Sequence, residues 1–384
     1  MSEPVHQPRG VLLPQDVHRT SVRPPAYRND TFDAEFDDST LFYDAIWVGD
    51  RALLIGPPLH NLALSVAGMR VLAVPSHAEC HYEFEHLDLH MRLWVTPPAG
   101  TTALRLQTSM GSFEVTVSPS QTSLFAGRRV LYTMSKDNTI AWMQDWIRFH
   151  RDVHGADAVL VYDNNSSRYN ALQLQDSLQE LSGVRSQVVS WNFPFGPQGF
   201  LRLGYWDSNY GQLGGLDHAR WTYLGMAQGV VIADIDELLL VRGGGSVFER
   251  LARSRTGSLR YHGKWVTATG QDVTQPQDQG RHRDFTDVVR PRDQGLDRLR
   301  RRGWCPTKWA VDPRRCPPTA QWHIHRIKRW PLAIPVAKQV EYRHFRPLST
   351  NWKYGRGGVE AFDSALHERD EALVRAYASV DWFH

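Results

Sequence analysis

Residues Gly229 to Leu240 read GVVIADIDELLL. Four consecutive apolar residues, Val230, Val231, Ile232 and Ala233, predict a strand buried on both faces, the pattern of a parallel sheet. The run ends on the acids Asp234, Asp236 and Glu237. Carboxylates at the end of a buried strand are costly unless something positive meets them. A hard divalent cation with oxygen ligands meets that need, and such a cation can also hold a phosphate. The competing reading is a polar strand end, its acids in water or capping the next helix.

The chain just before this stretch alternates strand and helix. Arg129 to Thr133 predicts a strand, and Ser135-Lys136-Asp137-Asn138 supplies N-cap candidates for a helix. Trp142, Trp146, Phe149 and Val153 fall on one stripe of that helix, which reads as core packing, and Gly155 ends it. Ala158 to Tyr162 predicts a strand that stops at Asp163-Asn164-Asn165-Ser166-Ser167. A helix from about Tyr169 to Leu181, a strand from Ser186 to Trp191 and a helix from about Leu213 to Ala227 follow. This alternation argues an open, mostly parallel α/β sheet, whose ligands bind at the carboxyl ends of the strands. Two polar clusters sit at such ends, Asp163 to Ser167 and Asp234 to Glu237. No glycine-rich phosphate fingerprint follows either, which argues against a dinucleotide or P-loop site.

Thr40 to about Gly127 has a different character. Short β-favouring runs recur between turn residues, with alternation such as Phe113, Val115 and Val117 against Glu114, Thr116 and Ser118. These predict a smaller antiparallel, sandwich-like domain. Glu83, Glu85, His86 and His90 lie in one such run and read as solvent-facing polar positions rather than a metal site. The first residues are rich in Pro, Arg and Asp without periodicity. The expected division is therefore a loose arm over 1–36, a β-rich domain over 37–127 and an α/β domain over 128–384.

Composition bounds the function. With 44 basic and 41 acidic residues the net charge is +3, which does not imply nucleic-acid binding. Fourteen tryptophans suit either sugar stacking or core filling. Cys80, Cys305 and Cys316 make no disulfide framework and show no C-x-x-C spacing, favouring a reducing compartment. The N-terminus lacks an apolar signal-peptide core, and no apolar run approaches the roughly 18 residues of a membrane span. A cytoplasmic protein, or one peripheral to a membrane, is expected.

Three segments in order carry a family resemblance: Trp146-Ile147-Arg148-Phe149-His150, Tyr162-Asp163-Asn164-Asn165-Ser166, and Asp234-Ile235-Asp236-Glu237-Leu238. Residues 128 to 240 resemble the GT-A-fold glycosyltransferases of family 92 and related bacterial family-2-like enzymes. The likeness is thinner to about residue 355, where Lys308-Trp309-Ala310-Val311, His323, His325 and His344-Phe345-Arg346 look like the family's later elements. The family's Asn-Glu pair before the first helix is here Asp137-Asn138.

The resemblance implies a GT-A domain that moves a sugar from a nucleotide sugar, UDP-linked, to a hydroxyl of a glycan or other acceptor. It implies Mn²⁺ or Mg²⁺ held by Asp236 and Asp234, with His344 or His325 completing the shell. Asp163, Asn164, Lys136 and Asp234 are the expected nucleotide contacts. Asp236 and Glu237 are the expected catalytic acids, Glu237 more as an orienting group than as the base. An acceptor-activating base is expected among aspartates of the 270–312 region. Arg343 and Arg346 flank His344 and by their charge are expected to keep it unprotonated and open to metal. The arginine-rich stretch Thr267 to Gly303 reads as a solvated insertion, with a flap over a diphosphate or an anionic acceptor as the alternative. Other classes remain: a carbohydrate-binding or scaffold protein with a decayed transferase domain, or a metal-dependent phosphohydrolase. The phosphohydrolase would want an aspartate where the first strand ends in Thr133-Met134-Ser135.

Overall fold

The computed structural model describes residues 4–199, 206–270, 280–291, 304–330, 336–348, 350 and 359–383. The chain divides into two compact units, one of residues 7–124 and 190–225, the other of 1–6, 125–189 and 226–384.

The first unit is β-rich. Its strands are β1 (Val11–Leu12), β2 (Thr40–Phe42), β3 (Asp44–Val48), β4 (Arg51–Gly56), β5 (Arg70–Val74), β6 (His81–His86), β7 (Met91–Thr96), β8 (Ala103–Thr108) and β9 (Gly111–Thr116). Single helical turns, α1 (Phe32–Glu35) and α2 (Ala63–Val66), interrupt them. Antiparallel sheets ordered β3-β4-β7-β6 and β5-β8-β9 form, and β1 pairs antiparallel with β2. The inward residues of the two larger sheets, Leu54 and Leu93 from one and Val71, Leu104 and Leu106 from the other, share one core. Val115 and Val117 are buried as their alternation predicts.

Three expectations need correction here. The arm read as loose is tied down: Arg19 donates to the carbonyls of Pro58, Asp37 and Thr40 at 2.6–2.8 Å, and Arg23 forms a buried ion pair with Asp207. Residues 190–225 were expected in the α/β domain but lie in this unit. The reason is visible in their charges: Asp217 is bidentate to Arg92, and His218 meets Asp44 at 3.0 Å, all four buried. His90, read as solvent-facing, is buried with Nε2 3.4 Å from Asp217 Oδ2.

The second unit is α/β. In chain order it contains β10 (Arg129–Ser135), α3 (Ile140–His154), β11 (Ala158–Asp163), α4 (Ala171–Gln179) and β12 (Arg185–Ser190). After the helix α5 (Tyr210–Thr222) of the other unit come β13 (Gly229–Ile232), β14 (Glu237–Val241), α6 (Val247–Ala252) and β15 (Ser258–Thr269). Then follow β16 (Asp287–Val289), β17 (Trp304–Val311), β18 (Gln321–His323), β19 (Arg326–Lys328), β20 (Val336–Phe345), β21 (Val359–Glu360), β22 (His367–Arg369) and α7 (Glu371–Tyr377).

The sheet runs β12-β11-β10-β13-β17-β15-β16-β22. It is parallel where the sequence alternates strand and helix, at β10–β11 and β10–β13, and antiparallel from β13 through β17, β15 and β16 to β22. The later strands thus make the sheet mixed. β13 stops at Ile232, just before the acids as expected, and the chain re-enters as β14, which begins at Glu237 and pairs with β20.

α3 starts at Thr139, whose hydroxyl accepts from the Trp142 amide, one residue past the four expected cap candidates. Asp137 is used otherwise: its backbone is left-handed, and its carboxylate accepts from the Ser167 and Arg168 amides. Gly155 closes α3 at φ +68, a conformation that favours glycine. Trp142, Trp146 and Phe149 are buried in the main core with Val159, Val161, Val231 and Leu239, as the stripe predicts. Each large apolar side chain so buried stabilises by about 1.5–3 kcal/mol. Among the described residues, no helix is long and apolar enough to cross a membrane.

Candidate functional site

The parallel registers decide what the strand ends bring together. Ser135 pairs with Asp163 across β10 and β11, and Tyr132 with Ile232 across β10 and β13. The polar cluster after β11 and the acid turn after β13 therefore flank the end of one strand, β10. Two strand spacings, about 10 Å, separate β11 from β13.

The acid turn is built by local hydrogen bonds. The Glu237 amide donates to the Asp234 carbonyl at 3.0 Å, and the Asp234 amide donates to Glu237 Oε2 at 3.0 Å. These bonds turn Glu237 inward, where it is fully buried, and leave Asp234 half-exposed. Lys308 on β17 completes the arrangement, Nζ lying 2.8 Å from Asp234 Oδ2 and 3.1 Å from Glu237 Oε2. Burial works against the Lys308 charge, but Asp234 and Glu237 outweigh it and hold the ammonium above its usual range. Burial pushes the Glu237 carboxyl up, against the pull of Lys308. The lysine was legible only as a family element, since its sequence position, 71 residues after Glu237, carries no spacing signal.

His344 stands opposite. Antiparallel pairing sets Glu237 against His344, and the turn brings Asp236 Oδ2 to 3.0 Å from His344 Nε2. His344 Nδ1 lies 3.7 Å from Glu237 Oε1. Trp265 stacks on the imidazole at 4.3 Å with an interplanar angle of 26°, and the Arg346 guanidinium covers the Trp265 ring at 5.0 Å. Burial disfavours a charged imidazole, yet Asp236 dominates and raises His344 to about 10.

This corrects the charge argument from sequence. Arg343, adjacent in the chain, faces away and pairs with Asp370 and Glu341. Arg346 is screened by Trp265 and lies 3.7 Å from Glu360. The acids, which are remote in sequence, set the state of the histidine. Three acids thus face two cations of the chain itself.

The other candidates are placed as follows. His325 is exposed in the turn between β18 and β19, Nδ1 3.1 Å from the Thr307 carbonyl, on the Lys308 side of the cluster. His323 accepts through its carbonyl from Trp309 Nε1 at 2.6 Å. Asp163 is buried and takes the Ser166 hydroxyl at 2.5 Å; burial raises its carboxyl and Ser166 opposes the rise. The Asn164 amide donates to Ser135 at 2.8 Å, and Lys136 is exposed beside this cluster. Of the 270–312 region, where the acceptor base and the arginine cluster were expected, residues 271–279 and 292–303 lie outside the described residues. Of its arginines, Arg281 pairs with the buried Asp145 and Arg290 with Glu368. Cys305 is buried against His344 and Tyr342, and all three cysteines are free.

Among the described residues, no three His, Cys, Asp or Glu side chains converge on one cation position. The Asp236–His344 pair offers two donors, a carboxylate oxygen and an imidazole nitrogen. Two donors on their own make no closed all-protein cage.

No family model and no curated protein matches the chain. The family 92 likeness thus rests on the quoted motifs alone. A solved structure of a bifunctional glycosyltransferase, WbbM, in its apo form is similar at 17% identity, over 40% of this chain and 27% of that one, with a TM-score of 0.25.

Proposed function

We propose that this chain is a cation-dependent glycosyltransferase using a nucleotide-sugar donor. One observation carries the reading. A carboxylate and an imidazole, Asp236 and His344, meet at 3.0 Å at the carboxyl edge of parallel strands, one strand away from a second polar end at Asp163. Crevices at such edges are where open α/β sheets take their ligands.

In this reading Asp236 and His344 would hold the cation, with Asp234 nearby. A divalent ion bound there would supply positive charge to a departing diphosphate. Lys308 opposes the upward push of burial on Glu237 and pairs with Asp234, so that the turn presents its carboxylates in one orientation. Asp163, with Asn164 and Lys136 beside it, accepts N–H or O–H donors of the nucleotide. His344 surrenders its proton when it becomes a ligand, because only the neutral ring binds metal.

A second reading has its own support. Lys308 and His344 already neutralise most of the acid cluster, as they would in a decayed transferase domain that keeps only a binding role. Release of UDP from a panel of UDP-sugars, with Mn²⁺ and with EDTA, separates the two. Slow Mn²⁺-dependent release supports the transferase, whereas UDP-sugar binding without any release supports the binding module.

A further inference from the structure

The acid turn sits at the start of β14. Among the described residues, β14 pairs with β20 alone. The Asp236 carbonyl accepts from the Phe345 amide, and the Arg242 amide donates to the Gln339 carbonyl, both at 2.8 Å. In an antiparallel ladder the residues between such partners turn their backbone groups the other way. Ile235, Glu237 and Leu239 thus aim polar backbone groups at the interior, where an unmet group is costly.

Side chains meet them instead. His282 Nε2 donates to the Ile235 carbonyl at 2.8 Å. Trp146 Nε1 donates to the Glu237 carbonyl at 3.0 Å. His150 uses its Nδ1 proton on the Trp146 carbonyl at 2.8 Å, which leaves Nε2 to accept from the Leu239 amide at 3.4 Å. His154 Nε2 donates to the Leu239 carbonyl at 2.8 Å, and its Nδ1 accepts from the Val247 amide at 3.3 Å. Trp146, His150 and His154 recur every fourth residue of α3, so one row of the helix serves one edge of the strand. All four side chains are buried.

We infer that Trp146, His150, His154 and His282 act as a substitute edge strand, positioning the Asp234–Glu237 turn so that Asp236 can hold a cation with His344. The cation part rests on the proposed function; the positioning part does not. These are positioning residues, acting through the backbone of β14 rather than on substrate. The row also gives the Trp-x-x-x-His spacing of α3 a physical role beyond core packing.

The test uses the full chain. Trp146→Phe removes only the indole donor. His154→Leu removes both imidazole bonds, and His154→Gln restores a donor toward Leu239. Amide hydrogen exchange is followed over residues 233–241 and, as a control, over β11. Mn²⁺ alone is titrated by its paramagnetic resonance signal.

Expected is faster exchange of residues 233–241 in Trp146→Phe and His154→Leu, by about fivefold per lost bond. β11 should be unchanged, Mn²⁺ binding should weaken in parallel, and His154→Gln should return both toward wild type. Unchanged exchange at 233–241, equal acceleration in β11, or no rescue by glutamine would overturn the inference. A wild-type chain that binds no Mn²⁺ would refute the cation reading alone, because the exchange result still judges the edge.

Discussion

His344 Nε2 and Asp236 Oδ2 lie 3.0 Å apart although 108 residues separate them in sequence. The contact exists because β14 and β20 pair in a register that sets Glu237 against His344. His325, the other histidine marked in the sequence, lies against Thr307 instead. His344→Ala is therefore expected to raise the Mn²⁺ concentration for half-maximal activity at least about tenfold, and His325→Ala to raise it less. A Mn²⁺ titration of both variants checks this, and a larger shift for His325→Ala would reverse the assignment.

Lys308 is the buried counter-charge of Glu237. Removing one partner of a buried ion pair leaves the other charge unmet, at a cost of roughly 3–5 kcal/mol. Lys308→Met should lose stability of that order in urea unfolding. Lys308→Met combined with Glu237→Gln should recover much of it, since no charge is then stranded. If the double variant is as unstable as the single one, the loss is not electrostatic.

Two of the histidines behind β14, His150 and His154, give a pH dependence with a definite sign. Burial depresses His150 to about 3 and His154 to about 4, so both are neutral in the folded chain. Unfolded, each takes up a proton near pH 6.5. Between those values the unfolded chain binds more protons, so stability rises with pH. Their contribution is complete above about pH 6.5 and is lost as pH falls toward 4 for His154 and toward 3 for His150. Between about pH 7 and pH 5 the raised Glu237 carboxyl acts in the opposite sense in every variant, so the urea midpoint should fall more, or rise less, in wild type than in His154→Gln over that range. Identical slopes in wild type and variant would contradict this account.

Asp163 supplies a cation-independent check. Its carboxylate is buried and accepts from the Ser166 hydroxyl. Asp163→Ala should weaken UDP binding in EDTA by roughly 1–3 kcal/mol, the cost of leaving a buried donor unmet. Unchanged affinity by calorimetry would make the Tyr162-to-Ser167 segment a turn without a binding role.

Local chemistry was readable from sequence where it is periodic or capped. The apolar run of β13, the stripe of α3 and Gly155 all took their expected places. The β-rich segment also formed antiparallel sheets. What stayed hidden depends on long-range pairing. The pairing of Leu238–Leu240 with β20 is one such feature, because nothing local tells a strand which neighbour it will have. Lys308 and His344 reach the acids only through β17 and β20. The charge on His344 was misread because sequence neighbours Arg343 and Arg346 are visible, whereas the acids that face it are not. His150 and His154 passed as helix residues, since their partners are backbone groups and leave no mark in composition.

The central claim is that Asp236 holds a divalent cation for a departing nucleotide. Its most direct measurement is UDP release from UDP-sugars by wild type and Asp236→Asn, each with Mn²⁺ and with EDTA, alongside their melting temperatures. The account predicts release by wild type only with Mn²⁺, none by Asp236→Asn, and melting temperatures within a few degrees of each other. Release that persists in EDTA, or that Asp236→Asn retains in full, would contradict it.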